Sequence, residues 1–61
     1  MEKIQVQAGA LIRGEFRRWL MRNDIRFEED KGLITSFFIF EKPQSQTLMN
    51  QLFTLIEYFK N

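Results

Sequence analysis

The chain has no cysteine and no histidine. The first absence removes disulfides, thiolate nucleophiles and every zinc site that needs sulfur. The second removes the imidazole of common transition-metal sites and the base of Ser-His and Cys-His pairs, leaving only carboxylate, Lys or Tyr chemistry. Composition therefore points away from an enzyme, and no cofactor is expected. Only one proline interrupts the sequence, and there is no repeat or low-complexity tract, so residues 1–61 read as a single domain. No apolar run approaches the ~18 residues of a membrane span, and MEKIQVQ lacks the build of a signal peptide. A cytoplasmic chain, or a soluble domain of a longer one, is the expectation.

Excess charge is also missing. Nine basic and eight acidic residues leave a net charge of +1, too weak a field to argue for nucleic acid or an anionic membrane. The distribution is less even, because RGEFRRWLMRNDIR (residues 13–26) holds five arginines against two acids and Glu28-Glu29-Asp30 then reverses the sign. At 61 residues a domain buries only about 60% of the surface its unfolded chain exposes, so a partner is a natural source of added stability.

Apolar residues follow two periods. In Lys3 to Ala8 they alternate with Gln5 and Gln7, which predicts a half-buried strand. After Gly9 the spacing changes to Ile12, Phe16, Trp19 and Leu20, one face of a helix running from Ala10 to about Asn23-Asp24, with Arg13, Arg17, Arg18 and Arg22 on the other side. Gly14 weakens that helix by up to ~1 kcal/mol relative to Ala. Ile25 to Glu29 alternates again, Asp30-Lys31-Gly32 reads as a turn, and LITSFFIF (residues 33–40) reads as the returning strand of a hairpin. Ser45 is a candidate N-cap for a second amphipathic helix, whose apolar arc is Leu48, Met49, Leu52, Phe53, Leu55, Ile56 and Phe59.

Strand, helix, strand, strand, helix is an α+β order. It gives five of the six elements of a ferredoxin-like two-layer sandwich, β-α-β-β-α without the last strand. A right-handed crossover places the first two strands parallel with a gap for the third, giving sheet order 1-3-2 with both helices on one face. LITSFFIF is then central, where its apolar character on both faces is sheltered rather than left at an edge.

The other sheet face is the leading candidate site. Phe38 and Phe40 are expected as its apolar anchors, with Gln5, Gln7 and Arg26 at the rim; the opposite register, using Phe37 and Ile39, is the alternative. An apolar centre with a polar rim suits a protein partner or regulator. The missing strand also leaves the first strand as an edge, so pairing in a homodimer is a related route. Arg17, Arg18 and Arg22 are candidate contacts for an anionic partner, although such a face is more often simply solvated. Glu28, Glu29, Asp30 and Glu41 read as solvated turn residues, with no EF-hand spacing among them. Trp19 reads as core.

Two resemblances accompany this reading. Lys31-Gly32 before an aromatic strand resembles the third strand of an RNA-recognition motif, which implies single-stranded RNA bound on the sheet face. Leu33, Thr35 and Gln5 stand where that motif carries stacking aromatics, and its closing strand is absent. EFRRWLMRNDIRF followed by SFFIFEKPQSQTLMNQLFTLIEYFKN is similar to the N-terminal cytosolic domain of bacterial rhomboid intramembrane proteases. That resemblance implies a non-catalytic accessory domain whose protease residues lie outside this chain.

Overall fold

The computed structural model describes residues 2–60. The elements are β1 (Lys3–Gly9), α1 (Arg13–Arg22), β2 (Phe27–Lys31), β3 (Thr35–Glu41) and α2 (Gln46–Lys60). They form an α+β fold with one three-stranded sheet in the order β1-β3-β2. Both outer strands run antiparallel to β3, and therefore parallel to one another. This is the sheet order that the element sequence predicts. No helix among the described residues is long and apolar enough to cross a membrane.

Each boundary has a local cause. β1 closes in a turn in which the Ile12 N–H donates to the Gly9 carbonyl at 3.1 Å, so α1 begins at Arg13 rather than near Ala10. The helix ends in a Schellman motif: Ile25 N–H donates to the Leu20 carbonyl and Asp24 N–H to that of Met21. Asp24 takes the left-handed conformation this requires, at φ 56°. The Asn23 side chain adds a bond to the Trp19 carbonyl at 2.8 Å. Because that motif consumes Asn23 to Ile25, β2 starts at Phe27, two residues beyond the expected Ile25. At the start of α2 the Ser45 hydroxyl accepts the Leu48 N–H at 3.3 Å, the N-cap bond that the sequence suggests.

The hairpin turn is also displaced. Gly32 N–H donates to the Thr35 carbonyl at 2.9 Å and Lys31 pairs with Ser36, so the loop is Leu33-Ile34 and not Asp30-Lys31-Gly32. Leu33 is 97% exposed at this tip.

One buried cluster joins Val6, Ala8, Phe38 and Phe40 of the sheet, Phe16 and Leu20 of α1, and Met49 and Leu52 of α2. Phe16 is its centre. Its ring meets Phe38 edge-on at 5.1 Å, with Phe40 at 6.1 Å and Phe59 of α2 at 6.0 Å. Burial of each such ring contributes about 1.5–3 kcal/mol. Trp19 stacks on Phe16 at 6.0 Å and is partly buried against the same core.

Candidate functional site

The pairing register decides which side chains share a face, because side chains alternate along a strand. On β3, Ser36, Phe38 and Phe40 are buried. Their cross-strand partners are Ala8, Val6 and Ile4 on β1, and Lys31, Glu29 and Phe27 on β2. The expected placement of Phe38 and Phe40 on the open face is thus corrected: they are 0% and 2% exposed and form part of the core. The outward set is the alternative one, Phe37 and Ile39, both only partly buried.

Around these two side chains the register builds a defined rim. Phe37 lies between Gln7 and Asp30, and Ile39 between Gln5 and Glu28. Glu41 pairs with Lys3. Gln5, Gln7, Glu28 and Asp30 are all exposed. Ile39, Glu28, Arg26, Lys3 and Glu41 also line a shallow concavity of about 230 Å³ together with Phe27 and Phe40. Of the expected rim, Gln5 and Gln7 lie beside Ile39 and Phe37, and Arg26 lines the same concavity as Ile39. This face carries three carboxylates, Glu28, Asp30 and Glu41, and two cations, Lys3 and Arg26.

The expected arginine face is divided. Arg17 is turned inward to Glu29 in a two-bond fork, Nε to Oε1 and Nη2 to Oε2, both at 2.7 Å. The Ser36 hydroxyl donates to the same Oε2 at 2.8 Å. Arg13 completes the network through Nη1, donating to the Gly32 carbonyl at 2.7 Å and to Ser36 Oγ at 3.3 Å. Arg17 is thus occupied within the chain, which corrects its expected role as a contact for an anionic partner. Glu29, expected as a solvated turn residue, is corrected likewise. Arg18 and Arg22 remain exposed.

The Arg17 bonds hold the Glu29 carboxyl well below its ordinary 4.5, at about 2, with burial opposing and the Ser36 hydroxyl assisting. The same bond raises the Arg17 guanidinium further above its ordinary value. Ser36 is fully buried with its hydroxyl committed to Glu29. The network thus ties α1 to the β2-β3 hairpin and presents no accessible nucleophile. Among the described residues no group of three or more carboxylates is placed to hold a metal ion.

The signal for this network was faint in the sequence. Arg17 and Glu29 are 12 residues apart, and only the pairing of Glu29 with Phe38 turns the carboxylate toward α1. No protein-family model, curated protein or solved structure matches this chain.

Proposed function

We propose that the chain is a non-catalytic protein-interaction and regulatory module. Its build is the ferredoxin-like two-layer sandwich without the last strand, both helices covering one sheet face and the other face docking a protein. The observation that carries this reading is the outward pair Phe37 and Ile39, set between Gln5 and Gln7 on one side and Glu28 and Asp30 on the other. An apolar centre loses water on docking, while a polar rim sets orientation and choice of partner. The partner that fits offers an apolar anchor flanked by Lys or Arg to meet Glu28 and Asp30. The resemblance to the rhomboid cytosolic domain, as an accessory domain without catalytic residues, agrees with this role.

The charge of the face argues against RNA. Glu28, Asp30 and Glu41 would repel phosphates, and Arg18 and Arg22 belong to α1 rather than to the sheet.

The test is to select peptides from a random display library on the wild-type protein. Selected sequences should combine an aromatic or aliphatic residue with Lys or Arg, and should lose binding to Phe37→Ser and to Glu28→Lys. Peptides that bind both variants unchanged would refute the open face as the docking site. Tight binding of single-stranded RNA at ~50 mM salt, lost in Arg18→Ala/Arg22→Ala, would favour the nucleic-acid reading instead.

A further inference from the structure

The two edges of the sheet are not alike. β2 carries Glu28 and Asp30 on its open face, and self-pairing of this strand about Glu29 would set Glu28 of one copy against Asp30 of the other. Like charges directly opposite are unfavourable, and charged edges of this kind resist strand addition. β1, Lys3–Gly9, carries a single charge, Lys3 at its start, and is uncharged from Ile4 to Gly9. Beside it runs a groove of about 560 Å³ whose lining includes Val6, Ile12, Ile56 and Phe59 below, with Gln5 and Gln7 above.

We propose that this edge pairs antiparallel with β1 of a second copy, about a two-fold axis that is perpendicular to the sheet and passes between the two Val6 residues. The proposal rests on reading the chain as an interaction module, and it assigns the edge, rather than the open face, to self-association. An axis in that direction keeps both cores on the same side, so residues of like alternation must meet. Centring on Val6 uses the whole strand: Gln5 faces the second copy's Gln7, Ile4 its Ala8, and Lys3 its Gly9. Amide meets amide above, apolar meets apolar below, and no charge meets its like. This self-complementarity is what a two-fold interface demands, since one patch must serve both partners. The partly buried Ile12, Ile56 and Phe59 line the groove, and Ile4 shares the alternation of Val6 on β1; a neighbouring strand and its helix would cover them. The result is a six-stranded sheet whose two Phe37 and Ile39 patches lie on one continuous face.

Sedimentation velocity from about 1 µM to about 1 mM tests the proposal. The wild type should shift from monomer to dimer with concentration. Gln5→Lys/Gln7→Lys places two Lys–Lys oppositions in each dimer and should raise its Kd about tenfold with circular dichroism unchanged. Gln5→Lys/Gln7→Glu places Lys opposite Glu at both positions and should restore wild-type association or exceed it. A strict monomer across that range overturns the inference, as does a dimer that survives the double-lysine change or weakens equally in both variants. Phe37→Ser separates the two ideas: it should leave the dimer intact while removing peptide binding at the face.

Discussion

Arg17 on α1 and Glu29 on β2 meet as a parallel fork, both N–O separations being 2.7 Å. The Glu29 side chain is only 15% exposed, so the pair is partly shielded from solvent, and it fastens the helix to the strand. Its linkage to pH has a definite sign. In the fold the carboxyl titrates at about 2, below the ordinary 4.5, so the unfolded chain takes up the proton first as pH falls. The stabilisation is therefore fully present above about pH 5 and is lost progressively between about 4.5 and 2. Urea midpoints measured from pH 7 to pH 2 should fall through that window, and the fall should be smaller in Glu29→Gln.

Glu29→Gln and Ser36→Ala should each lower stability at pH 7 by about 1 kcal/mol, the partial exposure of Arg17 limiting the effect. Because both side chains belong to one network, the double variant should lose less than the two single losses combined. A double-mutant cycle by urea denaturation reads the difference. Additive losses would show that the two bonds act independently.

Adjacent phenylalanines should behave oppositely. Phe38→Ala empties the middle of the core, where Phe16 and Phe27 pack on the ring, and should cost about 3–5 kcal/mol. In a small domain that is enough to abolish cooperative unfolding. Phe37→Ser should retain a sigmoidal thermal transition within a few degrees of wild type. Circular dichroism melts of the two proteins side by side decide the matter.

Asp24 holds a left-handed conformation at φ 56° just beyond the end of α1. Glycine adopts that conformation without the Cβ penalty, and removing a carboxylate from a helix C-terminus relieves repulsion with the dipole. Asp24→Gly should therefore raise stability by about 0.5–1 kcal/mol, seen as a higher urea midpoint at unchanged slope. Asp24→Val should do the reverse.

Gly32 is required for proximity. A Cβ there would lie 2.8 Å from the Thr35 carbonyl oxygen, backbone that cannot swing aside. Gly32→Ala should lower stability by about 1–2 kcal/mol by opening the hairpin. Exchange of the residue-32 amide, which donates to the Thr35 carbonyl, should then accelerate ahead of exchange in β1.

The turn explains why one face was misassigned. A loop of Asp30-Lys31-Gly32 would pair Phe27 with Thr35 and turn Phe37 inward; the observed loop, Leu33-Ile34, pairs Phe27 with Phe40 and turns Phe38 inward. Two exposed apolar residues at a hairpin tip are poor turn formers by composition, while Asp-Lys-Gly is a good one. Local preference gave way to burial of Phe38 and Phe40 against Phe16.

The order of elements, the sheet order β1-β3-β2, the end of α1 at Asn23-Asp24 and the cap at Ser45 were all written in the sequence. Each depends on periodicity or on a side chain acting within a few residues, and the sheet order follows from chain connectivity. The inward choice of Phe38 over Phe37, and the commitment of Arg17 to Glu29, were decided only by tertiary structure. Both alternating sets of β3 are apolar, so hydrophobicity could not rank them. With a side-chain period of two, a slip of one residue exchanges the faces, and only three-dimensional packing sets the register.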